Sequence, residues 1–478
     1  MKWRAKKRRS APARERSMAW TLAEILSATG GTVEREGKAK MIGDIVTDSA
    51  QVKKGSIFVA LKGARLDGHQ FIGVAVRRGA ACIIAHQATT ARGATVVRVR
   101  DTLRTLGDLG HYRREKLAPT VLAITGSNGK TTTKEMLAAI LEEATLGGQR
   151  LRGRVLKTEG NFNNRIGLPR TLLRLTPRHK VAVVELGTSE PGEIARLREI
   201  ADPDFAIITS VAAAHLEGLN SLAGVAREKG ALYRNLRGGA TIAVNLDDPW
   251  VKQLGRASKQ RKITYGARGA VRARAVSLRH GGGMEFTLEA RGQRCRIRLN
   301  YVGRHNVTNA LGAAALALAA GVKLSAIRRG LEKAQPFAMR MQVSRWRGAT
   351  ILNDAYNANP ASMKAALTTV AEIANGGQRI AVLGDMFELG KQSRREHETL
   401  GQIVARTRID RAYLLGKQAP AVRKAALRAG MKAENVFVGK NHADIAAKLR
   451  GEFGAGDAIL VKGSRGMAME KVLEELKR

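Results

Sequence analysis

The chain predicts an α/β protein with three sheet-containing blocks, and three observations carry that expectation. Short apolar runs alternate with helix-length amphipathic segments over most of the 478 residues, a rhythm that builds parallel sheets covered by helices on both faces. One apolar run ends in a glycine turn carrying a lysine and three threonines. The length is that of roughly two to four domains with sizeable cores.

In chain order, the first block (18–99) is expected to hold strands at 42–47, 56–61, 81–85 and 95–99, separated by glycine turns. The central block (100–325) is expected to hold strands at 121–125, 181–186, 206–210 and 241–245, with a helix over 134–144. The third block (326–478) is expected to hold strands at 350–353, 380–383, 412–415, 436–438 and 458–461. Pro336 interrupts helical periodicity between the second and third blocks. In such sheets ligands collect at the C-terminal strand ends, and the motifs described next fall there.

The segment Thr125-Gly126-Ser127-Asn128-Gly129-Lys130-Thr131-Thr132-Thr133 follows the apolar run Val121-Leu122-Ala123-Ile124 and opens the predicted helix. Strand, glycine turn and helix start make a phosphate cradle. Glycines let backbone N–H groups approach an anion, the helix N-terminus adds positive potential, and Lys130 reaches the outer phosphates. The hydroxyl of Thr131 is placed to ligate Mg²⁺. The spacing is GxxGKT, two residues shorter than the common loop, because Ile124 stands where that pattern wants glycine. The chain is therefore expected to bind a nucleotide triphosphate.

Other groups carry possible chemistry. Glu185 ends a strand, and a carboxylate there can ligate Mg²⁺ between phosphates; the alternative is a solvated strand-end acid. His215, in Ala214-His215-Leu216-Glu217, follows the next strand and reads as a second ligand or as a structural histidine. Lys229 reads locally as a helix-surface lysine. Asn161, Asn163 and Asn164 suit neither helix nor strand interior, so they read as a loop presenting amides to a ligand or as a plain turn. Asn353-Asp354-Ala355-Tyr356-Asn357-Ala358-Asn359-Pro360 reads as a strand end, a polar loop and a proline helix start. Lys462-Gly463-Ser464-Arg465-Gly466 places cations on a turn suited to a carboxylate or phosphate.

Composition sets the context. Hydrophobic residues make up 44% of the chain, and the longest apolar stretch, Ala310 to Gly321, is too short to span a bilayer. Cys82 and Cys295 lie far apart, offer no disulfide framework and fit a reducing cytoplasm. The formal net charge of +42 is unusual. Residues 1–17 hold eight Lys/Arg against Glu15 alone, contributing +7 and leaving +35 to the rest. This leader is expected to be disordered and lacks the apolar segment of a signal peptide. It reads equally as an arm for nucleic acid or acidic lipid and as untranslated sequence ahead of a start at Met18. The remaining excess is dispersed, without the aromatic interleaving of single-strand binders. It reads as solvated basic surface, which also gathers anionic substrates.

These residues together resemble the Mur ligases, ATP-dependent amide-forming enzymes of peptidoglycan synthesis. The resemblance runs from about Trp20 to the C-terminus and includes Thr47-Asp48-Ser49, Asp67-Gly68-His69, Asn163-Asn164-Arg165-Ile166-Gly167-Leu168-Pro169 and Glu185-Leu186-Gly187. It continues through Gly303-Arg304-His305-Asn306-Val307-Thr308-Asn309, the Asp354–Pro360 run, Gly384-Asp385-Met386-Phe387-Glu388-Leu389-Gly390 and Val461-Lys462-Gly463-Ser464-Arg465. The Asp354–Pro360 and Gly384–Gly390 runs favour the member that joins D-alanyl-D-alanine to UDP-N-acetylmuramoyl-tripeptide over relatives that add single amino acids.

The resemblance implies an N-terminal domain for the UDP-sugar, a central ATPase and a C-terminal Rossmann-like domain that binds the dipeptide. It implies that Thr125 to Thr132 hold ATP, with Lys130 on its phosphates and Thr131, Glu185 and His215 on Mg²⁺. Lys229 matches a lysine carbamylated in the family, which requires a neutral amine and hence a lowered pKa. His305, Asn306 and Asn309 match residues around the base, and Arg340 and Asp354 match groups that reach the nucleotide from the third block. Asp48, Ser49, Asp67, His69, Asn163, Tyr356, Asn357, Lys462, Ser464 and Arg465 fall in runs associated with the amino-sugar and peptide substrates. The chain is expected to act as a cytoplasmic monomer with no obligatory nucleic acid. Three positions depart from the family pattern: Ala50 where Arg is common, Ala231 where an acid is common, and Met339 where Gly is common.

The implied reaction converts a peptide carboxylate to an acyl phosphate, which the dipeptide amine then attacks. No base for that amine is assigned. A ligase extending folate or another peptide is the rival within the class. A nucleotide-dependent nucleic-acid-binding protein, motivated by the charge, is the rival outside it and predicts salt-sensitive binding to generic DNA or RNA.

Overall fold

The structure, a computed structural model, describes residues 19–39, 42–63, 65–89, 91–279, 282–374 and 376–478. The basic leader and Met18 lie outside the described residues. The chain forms two compact units, one of residues up to Leu117 joined by Leu172–Arg178, the other of Ala118–Thr171 and His179–Arg478.

The first unit starts with α1 (Leu22–Thr29), whose end is set by Thr21 and Glu24 in a reciprocal capping box and whose exit is the left-handed Gly30. Its sheet holds β1 (Thr32–Arg35), β2 (Ile45–Val46), β3 (Ile57–Val59), β4 (Cys82–Ala85) and β5 (Thr95–Arg98) in the order β1-β5-β4-β3-β2. All pairs are parallel except β1 with β5. α2 (Ile72–Arg77) and α3 (Thr102–Leu117) complete it. The expected strands are present but shorter, because the ends of each apolar run turn away from the ladder.

The second unit contains two large sheets. The first begins with β6 (Thr120–Thr125), buried along almost its whole length, and α4 (Lys130–Glu142). A small hairpin, β7 (Thr145–Leu146) and β8 (Gln149–Arg150), precedes β9 (Val155–Lys157) and α5 (Gly167–Leu172). Then come β10 (Val181–Glu185), α6 (Glu193–Ala201), β11 (Phe205–Ile208), α7 (Leu216–Leu219), α8 (Leu222–Gly230), β12 (Thr241–Asn245), α9 (Pro249–Ala257) and β13 (Arg261–Tyr265). With β14 (Val271–Leu278), β15 (Met284–Ala290) and β16 (Gln293–Leu299) at one edge, the strand order is β16-β15-β14-β13-β12-β11-β6-β10-β9. β6 is flanked by β10 and β11, both later in the chain, so the order reverses beside the phosphate loop and a crevice opens there.

The antiparallel meander β14 (Val271–Leu278), β15 (Met284–Ala290) and β16 (Gln293–Leu299) was not expected from sequence. Its exposed face is a ladder of Arg272, Arg274, Arg294, Arg296 and Arg298 against Glu285 and Glu289, and this charge pattern hides the strand alternation. α10 (Arg304–Ala319) is the buried helix formed by the longest apolar stretch, followed by α11 (Leu324–Lys333). Among the described residues no helix is long and apolar enough to cross a membrane.

The last sheet has the order β17-β18-β22-β19-β20-β21. Its elements are β17 (Gln342–Trp346), β18 (Ala349–Asp354), α12 (Pro360–Ile373), β19 (Arg379–Gly384), α13 (Ser393–Arg406), β20 (Arg411–Leu415), α14 (Ala419–Arg428), β21 (Val436–Val438), α15 (His442–Arg450), β22 (Ala458–Lys462) and α16 (Glu470–Lys477). Only β17 runs antiparallel to its neighbour. Pro360 is the first residue of α12 as expected, with Asn359 as its cap. Cys82 and Cys295 are both free.

Candidate functional site

The phosphate loop is held open by tertiary bonds rather than by its own sequence. Thr125 Oγ1 donates to Leu186 O (2.7 Å), Ser127 N to Ser210 O (2.8 Å), and Thr209 Oγ1 to Asn128 O (2.5 Å). Gly126 lies at φ +148°, and a Cβ there would overlap Thr209 Oγ1; only glycine fits. Lys130 curls back so that Nζ donates to Gly126 O at 2.7 Å. Enclosure of its ammonium lowers its pKa, with Glu185 acting in the opposite sense and Arg340 adding to the fall.

The buried Glu185 at the end of β10 is the focus of the site. Oε2 accepts from Thr131 Oγ1 (2.9 Å), Oε1 from Asn163 Nδ2 (2.9 Å), and its backbone N–H donates to Thr158 Oγ1 (3.0 Å). The solvated alternative for Glu185 is excluded by its 2% exposure. The asparagine loop divides its labour: Asn163 reaches Glu185, Asn164 Oδ1 accepts from Ile166 and Gly167 N–H to start α5, and Asn161 lines the cavity.

Lys229 is not a surface lysine; it is 1% exposed. Burial holds its pKa well below the usual range, nearby Lys130 pushes it further, and Glu228 only partly opposes them. Glu228 itself accepts from the N–H groups of Gly192 and Ile194. His215 sits at φ +55°, with Nδ1 2.5 Å from Glu388 Oε2.

From the third sheet, buried Lys462 pairs with Asp354 Oδ2 (2.5 Å) and donates to Asn357 O (2.9 Å). Arg340 stacks on the Tyr356 ring at 4.0 Å. Met339, at the departure from glycine, adopts φ +57°. His305 stands in the cavity wall, where enclosure pushes its pKa down to about 4. Asn306 donates to Val302 O and Asn309 to Asn306 Oδ1.

A cavity of about 600 Å³ joins most of these groups. Its walls include Ser127 to Thr132, Asn163, Glu185, His215, His305, Asn306, Asn309, Arg340, Asp354, Tyr356, Asn357 and Lys462. Thr125 and Gly126 lie behind the loop. Lys229, Ser464 and Arg465 are not among its lining residues. Ser464 Oγ accepts from Phe387 N (2.8 Å), and Arg465 pairs with Glu470 (2.6 Å). Asp48, Ser49, Asp67 and His69 belong to the first unit. There Asp48 caps a short turn through Ala50 N, and His69 Nδ1 lies 2.6 Å from Asp67 Oδ1. A cation does stand beside the turn that lacks the family arginine, since Arg78 donates to Ala50 O at 2.9 Å. A second cavity, of about 800 Å³, lies against β20 and β21, where Arg411 and Lys448 both pair with Glu452.

Sequence reasoning missed Thr158, Thr209 and Glu388. Their partners lie at least 24 residues away, so no local spacing betrays them. Among the described residues no group of three His, Cys, Asp or Glu side chains could cage a metal. Mg²⁺ does not need one: it is usually held by one or two carboxylates plus substrate phosphates, and the Glu185–Thr131 oxygen pair on the cavity wall fits that habit.

A glycine–lysine loop at the reversal point of a parallel sheet, facing a cavity walled by a second Rossmann-like sheet, defines a P-loop enzyme that uses ATP. The family model "Mur ligase middle domain" matches residues 124–317, "Mur ligase, glutamate ligase domain" matches 339–465, and "Mur ligase family, catalytic domain" matches 42–114. The chain belongs to the Mur ligase family. It is 36% identical to the UDP-N-acetylmuramoyl-tripeptide–D-alanyl-D-alanine ligase of Escherichia coli, over 95% of this chain and 98% of that one. It is 32% identical to the Bacillus subtilis protein of the same name, over 95% and 97%. The MurF crystal structure from Acinetobacter baumannii superposes with TM-score 0.89 at 33% identity, covering 96% and 99% of the two chains. The MurF ligase of Thermotoga maritima, solved with ADP, gives 0.81 at 28% identity, covering 91% and 96%.

Proposed function

We propose that this chain ligates D-alanyl-D-alanine to UDP-N-acetylmuramoyl-tripeptide, using ATP and forming ADP, phosphate and the UDP-muramoyl-pentapeptide of peptidoglycan synthesis. One observation supports it above the others: the Lys130–Thr131–Glu185–Asn163 group and the Asp354–Lys462 pair line one cavity, alongside near full-length likeness to ligases of that reaction. In this reading a carboxylate oxygen of the tripeptide attacks the γ-phosphorus and ADP leaves. The dipeptide nitrogen then attacks the acyl carbon, loses a proton, and phosphate departs with the C–O electrons.

The roles of individual residues are part of the proposal. Lys130 and the loop N–H groups offset charge on the phosphates as it shifts. Glu185 and Thr131, with His215, would hold Mg²⁺, which when bound neutralises phosphate oxygens. Asn163 orients Glu185. Burial favours the neutral amine of Lys229; in this reading its lone pair attacks CO₂, the nitrogen loses a proton, and a carbamate anion forms beside Lys130. Arg340 and Asp354 approach the nucleotide from the third sheet, and Asp48, Ser49, Asp67 and His69 serve the UDP-sugar. The proposal includes a cytoplasmic monomer, which two free cysteines suit.

The test is phosphate release from ATP and Mg²⁺ with UDP-muramoyl-tripeptide, with and without D-alanyl-D-alanine. Release that needs both, with the pentapeptide seen by mass, is expected. Release that answers to a different amine would change the substrate, and stimulation by nucleic acid alone would sink the reading.

A further inference from the structure

Two non-glycine residues with left-handed backbones face each other across the second unit. His215 (φ +55°) begins the turn into α7, and Glu388 (φ +61°) sits in the loop after β19. Such conformations cost free energy and persist where the surroundings fix them. Here the surroundings are specific. Phe387 N donates to Ser464 Oγ (2.8 Å), Met386 N to His397 Nε2 (2.9 Å), and Leu389 is 2% exposed, so the loop is fastened on either side of Glu388. Its free groups then meet the His215 segment twice. Glu388 O accepts from Glu217 N at 3.2 Å, and Oε2 lies 2.5 Å from His215 Nδ1.

Nδ1 is buried and makes no aligned hydrogen bond, so the Glu388 carboxylate reaches it as a close polar contact. With Nδ1 turned to the carboxylate, Nε2 is the nitrogen left for the cavity that His215 lines. A histidine that ligates a metal ordinarily gives its other nitrogen to a carboxylate or carbonyl, which fixes ring orientation and tautomer.

We infer that Glu388 is a positioning residue for His215, carried on the third sheet, so that the imidazole is set for its ligand only when that sheet is docked against the phosphate-loop sheet. The inference rests on the metal role proposed above for His215. Glu388 touches neither substrate nor phosphate in this assignment; it acts through the ring. Its side chain is 54% exposed, so its replacement removes no core packing.

The experiment titrates Mn²⁺ into the full chain with ADP, read by electron paramagnetic resonance, for wild type, Glu388→Gln, Glu388→Ala, His215→Ala and the His215→Ala/Glu388→Ala pair. Either Glu388 change is expected to weaken Mn²⁺ binding about tenfold. His215→Ala should lose at least as much, and the double variant no more than His215→Ala alone. In ¹⁵N spectra the His215 ring should be a single Nδ1–H tautomer in wild type and a mixture in Glu388→Ala. Unchanged Mn²⁺ affinity, an unchanged tautomer or multiplied losses in the double variant each overturn the inference. If His215→Ala alone binds Mn²⁺ as wild type does, the metal role of His215 fails first and takes the inference with it.

Discussion

Asn128, in the phosphate loop, and Asn359, the cap of α12, exchange two amide hydrogen bonds, Asn359 Nδ2 to Asn128 Oδ1 at 2.8 Å and Asn128 Nδ2 to Asn359 Oδ1 at 3.3 Å. The same Asn359 Oδ1 accepts from Ser362 N at 2.9 Å. One side chain thus starts a helix of the third sheet and grips the loop of the second. Asn359→Asp keeps the helix-cap acceptor but removes the donor. It should change stability by less than about 1 kcal/mol while raising the KM for ATP several-fold, whereas Asn359→Ala should cost roughly 1 kcal/mol more through the lost cap. Thermal unfolding and ATP titration check both. An unaltered KM in the two variants would mean that the amide pair is only a packing contact.

Lys130→Ala should fold normally and fail to make acyl phosphate. Among the described residues its Nζ hydrogen-bonds to the Gly126 carbonyl of the loop, so little stability is at stake, while turnover should fall by roughly 10³-fold or more. Rapid-quench assay of phosphate release measures it. Wild-type turnover would remove the loop from the chemistry.

Lys229 supplies a pH dependence. Its native pKa is depressed, first by burial and then by Lys130, while the unfolded chain holds that proton up to about pH 10.4. Between those limits the unfolded state binds more protons, so stability rises with pH. In carbonate-free buffer Lys229→Met should therefore be more stable than wild type at pH 7, gain less between pH 7 and about 10, and lack ligase activity. Urea unfolding at both pH values decides it; equal slopes would show Lys229 charged in the native protein.

The buried Lys462–Asp354 pair predicts a coupling. Asp354→Asn leaves an ammonium at 2% exposure without its counter-charge, a defect worth about 3 kcal/mol or more. Lys462→Met should cost less, since Asp354 Oδ1 still accepts from Met341 N (3.0 Å). The double variant should recover much of the loss in chemical denaturation. Additive losses would show that the two side chains do not compensate each other's charge.

The phosphate loop was legible because its chemistry is local: a strand, two glycines, a lysine and a helix start are contiguous in the chain. Glu185 and Pro360 were legible for the same reason, each standing at an element end. Lys229 was misread locally, since a nine-residue helix with mixed charge does not disclose which face is covered. The β14–β16 meander was missed because its arginine ladder obscures the apolar alternation of strands whose other face is buried.

The sequence by itself determined the alternation that makes the α/β sheets, the loop that cradles phosphate, and the family to which its runs belong. Tertiary structure alone decided that Thr158 fastens Glu185, that Lys229 is deprived of water, that Lys462 is committed to Asp354, and that Glu388 meets His215. The division has a physical cause. Helix, strand and turn chemistry act over a few residues and are written in spacing, whereas burial and pairing depend on which surfaces the folded chain brings together.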